Sequence, residues 1–209
     1  MLAVRWYLRF GLSYRDLEKL LAERGNGIDH VTLFRWVQRF KPLLIAAARP
    51  CRHTVGLVWF VDETYVKVDG VSRYVYRAVD EHGQVIDVAV SLCRDMAAAR
   101  SLFAAVRSRT VHPDEVVADR SAALAHVIAD LLPDAVNGTD QYANNRVECD
   151  QSRPKAWLGP TRGLNTAGVI VRGHVFIENL RRGHCELGVE ARHSQFGFAA
   201  AFAVLASTT

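Results

Sequence analysis

Three acids in this chain stand where an acid is costly or conspicuous. Asp62 follows the apolar run LVWFV in FVDETYVKVDG, Asp119 follows the apolar core of EVVADR, and Glu148 lies in the polar stretch NNRVECD. Burying a lone carboxylate is unfavourable. A divalent cation reverses that balance, because it requires oxygen ligands. Three convergent carboxylates can hold two Mg²⁺ ions roughly 3.5–4 Å apart, and such a pair activates a water or hydroxyl and stabilises the leaving oxygen of a phosphodiester. Strand alternation puts Asp62 on the face of Val58 and Phe60 and turns Glu63 the other way, without telling which face carries a site. Most of the 22 acids need no such explanation, and Asp80 and Asp87 read as turn and strand-exterior residues. The histidines offer no competing centre, since His30, His53, His82, His112 and His126 form no paired metal motif.

The elements that must position these acids follow from the pattern around them. LVWFVDETYVKV, RYVYRAV and QVIDVAVSL are β-branched, aromatic and partly alternating, with Asp69-Gly70 and Glu81-His82-Gly83 as turns, so three antiparallel strands are expected in succession. DMAAARSLFAAVRS then reads as a helix with Ala98, Leu102, Ala105 and Val106 inward, EVVAD as a short buried strand, and SAALAHVIADLL as a helix stopped by Pro133. DQYANNRVECDQSRPKAWL is polar and helical in part, and GVIVRGHVFIENLRRG is a largely apolar helix ending at Gly183. Meander, helix, strand, helix and further helices is the order of the ribonuclease H-like architecture, an α/β fold with a mixed sheet and flanking helices. In that fold the first strand and the later short strand are neighbours, which brings Asp62 and Asp119 to one end of the sheet. Glu148 would arrive from a helix beside that edge.

The amino-terminal residues differ in character. Up to Val55 there are ten Lys and Arg against four Asp and Glu, a net +6; beyond it sixteen against eighteen, a net −2, together the +4 of the chain. Residues 1–40 read as three helices: Leu2 to Phe10 stopped by Gly11, a second capped by Ser13 with Asp16 three residues on, and a third capped by Asp29. Leu33, Trp36, Val37 and Phe40 make the apolar face of the third helix, and Thr32, Arg35 and Arg39, with Gln38 near them, the polar one. A small all-α helix-turn-helix domain is the expectation, its third helix offering groups that reach phosphates and base edges. A plain helical hairpin with a solvated face is the competing reading. Lys41 to Thr54, bracketed by Pro42 and Pro50, reads as a basic linker.

Cys51, Cys93, Cys149 and Cys185 have no zinc-ligand or redox spacing, so free thiols in a reducing compartment are expected. No signal peptide is visible, and the longest apolar run, FGFAAAFAVLA, is too short to span a bilayer. The expectation is a soluble cytoplasmic protein that binds no membrane.

SYRDLEKLLAERG, DHVTLFRWVQRF, VDETYVKVDG, YVYRAVDEHGQVIDV, YANNRVECD and NLRRGH, in that order between about Leu2 and Leu187, resemble the transposases of the insertion sequence 6 family. The run DETYVKV followed by YRAVD is the most specific part of the match. The resemblance implies a helix-turn-helix domain over 1–40, a linker over 41–55, a ribonuclease H-like DDE catalytic domain over 56–187, and a tail over 188–209 with a short apolar helix. It implies DNA transposition with Mg²⁺, for which Mn²⁺ substitutes, with Asp62, Asp119 and Glu148 as the acidic triad. It also implies a bacterial, nucleoid-associated enzyme that acts on double-stranded DNA, at element terminal repeats and target, as a homodimer or higher homo-oligomer joining a 3′-OH to the target. Lys155, seven residues past the Glu, is implied near a phosphate, and Asn144, Asn145 and Arg146 match the family's polar approach to Glu148. The chain departs from relatives in beginning inside the first helix, in a shorter Asp119–Glu148 interval, in Gln151 and Ser152, and in Pro154, which is expected to kink a helix between Glu148 and Lys155. Those departures leave open a second reading, a catalytically decayed copy that still occupies element ends. A general metal nuclease of the same fold is the third, and the basic amino-terminal reader argues against it.

Overall fold

The computed structural model describes residues 1–93, 96–107, 111–118, 122–138, 164–186 and 194–207, which form two compact units. One comprises Met1–His53 with Phe176–Thr209, the other Thr54–Val175.

In the first unit, α1 (Leu2–Phe10) ends at a left-handed Gly11, and α2 (Tyr14–Ala22) opens on a complete capping box. Ser13 Oγ accepts from the Asp16 N–H at 3.1 Å while the Ser13 N–H donates back to the Asp16 carboxylate at 3.2 Å. α3 (His30–Ala48) opens on Asp29, whose carboxylate accepts from the Thr32 N–H at 3.1 Å. Leu17, Leu21 and Leu33 are buried with Ala3, which packs the three helices around a small apolar centre.

The basic linker expected from Lys41 is instead helical as far as Ala48. Pro42 sits inside α3 and cannot donate to the Gln38 carbonyl, a break that costs a helix interior about 3 kcal/mol. Complete burial of Leu44 and Ala48 offsets it. They share a core with Val4, Leu8 and Val37, with Phe176, Ile177 and Leu180 of α6 (Leu164–Arg181), and with Ala201, Phe202 and Leu205 of α7 (Ser194–Ser207). By packing, the described residues from Phe176 onward group with the amino-terminal helices.

Lys41 itself is only 1% exposed, and burial lowers its pKa to about 8. The unfolded chain keeps that proton up to about pH 10.4. Between those values the unfolded state binds more protons, so stability rises with pH across this window, and below it the cost of the buried charge is present in full. We expect Lys41→Met to raise stability by about 2 kcal/mol at pH 7 and to flatten the rise between pH 8 and 10. Urea unfolding at pH 7 and pH 9.5 reads both; a variant less stable than the parent at pH 7 would contradict it.

In the second unit, β1 (Val58–Val68), β2 (Val71–Asp80) and β3 (Val85–Ser91) form an antiparallel meander. Val68 pairs with Val71 across a two-residue turn in which Asp69 and Gly70 both take positive φ, the arrangement that an Asp-Gly pair tolerates and most residues do not. β4 (Glu115–Ala118) runs parallel to β1, and β5 (Val136–Gly138) parallel to β4, giving the order β3-β2-β1-β4-β5. This is the ribonuclease H-like sheet. One face packs Trp59, Val61, Tyr76, Ala78 and Ile86 against α4 (Met96–Arg107) and α5 (Ala122–Leu131). The other packs Val66, Val68, Val75, Val79, Val85 and Val88 against Ala167, Val171 and Val175 of α6. Among the described residues no helix is long and apolar enough to cross a membrane.

Candidate active site

β1 is much longer than β4, and Asp62 stands at the point where their pairing stops. The two strands pair from Val58–Glu115 to Val61–Ala118, and the next residue of β1 is Asp62. Its neighbours two positions away, Phe60 and, further on, Val66 and Val68, pack into the valine-rich face under α6. Strand alternation therefore places Asp62 on that face and Glu63 on the face of α4 and α5. Asp62 is half-buried. Its Oδ1 accepts from the Glu63 N–H at 2.7 Å, and its Oδ2 is shielded from solvent. Directly opposite on β2 is Arg77, 9% exposed.

Asp119, Glu148, Lys155, Asn145 and Arg146 lie outside the described residues, as do Asn144 and Pro154. Among the described residues no group of three or more His, Cys, Asp or Glu is placed to hold a metal ion. Of the three acids that the sequence analysis singles out, Asp62 is the one that lies among the described residues. Its hard oxygen donors on a rigid strand suit Mg²⁺ or Mn²⁺.

Two acids that the sequence assigns to turns and exteriors hold the start of β1. Asp80 is not exterior: it is 2% exposed, and its carboxylate accepts from the Gly56, His82 and Gln84 N–H groups at 3.1, 3.0 and 2.8 Å. The Glu81 carboxylate accepts from the Leu57 and Val58 N–H groups, both at 3.0 Å. Burial works against the Glu81 charge, but the N–H groups of Glu81, Leu57 and Val58 outweigh it and hold its pKa below the usual range. Gly56 permits the approach, since a Cβ there would run into the Glu81 carboxylate. These bonds fasten the strand that carries Asp62 to the β2–β3 turn.

On α3, Arg35 and Arg39 are exposed, and Thr32 and Gln38 half-buried. Gln38 is hydrogen-bonded to Tyr14, whose ring stacks on Tyr7 with centroids 4.5 Å apart and meets Phe34 edge-on at 5.6 Å. Burial raises the pKa of both tyrosines, which stay neutral hydroxyls. At the start of α3, His30 Nδ1 lies 2.9 Å from Glu18 Oε2, tying it to α2.

The sheet is mixed, in the order β3-β2-β1-β4-β5, and Asp62 is the residue at which β1 leaves β4. Residues 56–184 match the family model of the DDE domain of IS240-type transposases. The chain is 34% identical over 177 residues to the transposase for insertion sequence-like element IS431mec of Staphylococcus aureus, covering 82% of this chain and 79% of that one. It is 33% identical, with the same coverage, to the transposase for insertion sequence element IS257 in transposon Tn4003, also of Staphylococcus aureus. Among solved structures, the dimeric form of the HTLV-2 integrase catalytic core domain in complex with magnesium is similar at 17% identity and a TM-score of 0.47, covering 65% of this chain and 99% of that one. The chain belongs to the insertion sequence 6 family of transposases, enzymes of DNA transposition.

Proposed function

We propose that Asp62, Asp119 and Glu148 form the acidic triad of this transposase, and that residues 1–40 read the terminal repeats of its element. What supports the triad is the β1–β4 register. Val61 pairs with Ala118, and Asp62 and Asp119 are the next residues in the chain after those two. The triad would hold two Mg²⁺ ions, or Mn²⁺ in their place, supplying Lewis-acid stabilisation of the attacking and leaving oxygens. The chain's own part is to keep Asp62 on a strand fixed at its start by Asp80 and Glu81, so that the carboxylate meets the cation without reorganising. Lys155, Asn145 and Arg146 are proposed to contact DNA phosphates beside the triad.

For DNA reading, the exposed Arg35 and Arg39 are the principal groups, with Thr32 at the start of α3. Gln38 is held by Tyr14 and takes a smaller part. Arg35→Ala is expected to weaken binding to end-containing duplex by about 1–3 kcal/mol if it reads a base edge. A mobility-shift titration at fixed salt measures this, and equal binding of the two proteins would remove Arg35 from the interface. The acting species is proposed to be a homodimer or higher oligomer on DNA in the bacterial cytoplasm, nucleoid-associated while bound.

The test is a strand-transfer assay with the element's own ends and a target duplex, with and without Mg²⁺. Joined product that requires the cation is expected. Specific binding of the ends with no cleavage at any Mg²⁺ concentration would mark a decayed copy, and sequence-blind cutting would mark a general nuclease.

A further inference from the structure

The face that α3 turns away from its own core is not wholly polar. Leu33 and Val37 are buried, and on the opposite side spacings of three and four gather Val31, Phe34, Arg35 and Gln38. Val31 is 42% exposed and Phe34 40%. A single exposed apolar residue is ordinary. These two lie about one turn apart near the start of a capped helix, beside the exposed Arg35, in a segment whose residues up to Val55 carry a net +6. The Phe34 ring is also held: it meets Tyr14 edge-on with centroids 5.6 Å apart, and Tyr14 is itself stacked on Tyr7. A ring already fixed in place loses little further freedom when a partner covers it.

We propose that Val31 and Phe34 set sequence specificity by packing on the 5-methyl groups of thymines in the terminal repeat. The inference rests on the reading of residues 1–40 as the segment that binds element ends. The surroundings choose the occupant. Cations beside the pair call for a polyanion, and the apolar group that a DNA duplex offers at a base edge is the thymine methyl. That methyl stands in the major groove, where the amino-terminal residues of a recognition helix reach base edges. Arg35, on the same face, supplies contacts to phosphate or guanine, but a guanidinium does not tell thymine from cytosine by its methyl. Val31 and Phe34 add that distinction.

The experiment is a mobility-shift titration of the full chain at fixed salt with three duplexes: the element's own end, the same end with every thymine replaced by uracil, and a scrambled sequence of equal composition. Uracil lacks the methyl and keeps every hydrogen-bonding group and phosphate. One buried methyl is worth about fourfold in affinity, so the parent is expected to bind the uracil end about tenfold more weakly than the thymine end. Val31→Ser and Phe34→Ala should each bind the thymine end at least about fourfold more weakly, and the double variant should separate the two ends by less than about twofold. Equal binding of thymine and uracil ends by the parent overturns the proposal, and that comparison needs no variant to fold. A folded double variant that keeps the tenfold difference overturns it as well; if that variant also loses self-association, the patch belongs to a second copy of the chain. Equal binding of end and scrambled duplex by the parent is a separate result: it overturns the reading of residues 1–40 as the end reader, and the proposal with it.

Discussion

Asp62→Asn is expected to lower strand transfer by about a thousandfold or more while end binding stays intact. The substitution keeps the size of the side chain and removes its charge. A ligand that stabilises the cation and the charge developing on phosphoryl oxygens supplies several kcal/mol at the transition state, and about 4 kcal/mol is a thousandfold in rate. The groups proposed to read DNA belong to the first unit, with Arg35 and Arg39 on α3, whereas Asp62 belongs to the second. The two functions should therefore separate: mobility shifts unchanged, joined product lost. A variant retaining more than a tenth of the parent's activity at saturating Mg²⁺ would remove Asp62 from the triad.

The second large effect is on stability. Asp80→Ala takes the acceptor from three backbone N–H groups at once, those of Gly56, His82 and Gln84. The Gln84 N–H is buried, and leaving such a donor unmade costs about 1–3 kcal/mol, with bonds to a charged acceptor at the upper end; the part-buried Gly56 and His82 bonds add less. Solvent entering the opened site offsets part of this, and a loss of about 3–5 kcal/mol is expected. Domain stabilities run to only about 5–15 kcal/mol, so the protein should unfold at markedly lower urea. Asp80→Asn keeps one carbonyl oxygen and should lose about half as much. A loss below about 1 kcal/mol in Asp80→Ala would show that the carboxylate does not hold the start of β1.

The sequence makes legible whatever local chemistry decides. Ser13 with Asp16, Asp29, and the stop at Gly11 mark the helix starts and the end of α1, and the structure has them there. Asp69-Gly70 marks the hairpin, and the alternating runs on either side are β1 and β2. Properties that depend on a distant partner do not show. Lys41 and Pro42 read as the start of a linker, because nothing local reveals that Leu44 and Ala48 are buried further along the same helix. The apolar turns of α6 past Val175 read as part of the sheet domain, since periodicity identifies an apolar stripe without saying which core it fills. β5 is three residues, Val-Asn-Gly, too short to alternate and largely exposed. Asp62 could be picked out by its place after an apolar strand, but the face it occupies is settled only by where α6 packs.

The central claim is that three carboxylates far apart in sequence share one metal site, and Fe²⁺-directed backbone cleavage tests it most directly. Fe²⁺ in place of Mg²⁺, with ascorbate and peroxide, generates hydroxyl radicals that cut the chain beside the bound ion. The account predicts fragments ending near Asp62, Asp119 and Glu148, all suppressed together by excess Mg²⁺ and all lost in Asp62→Asn. Cuts confined to other parts of the chain, or cuts at these positions that survive Asp62→Asn, would contradict it.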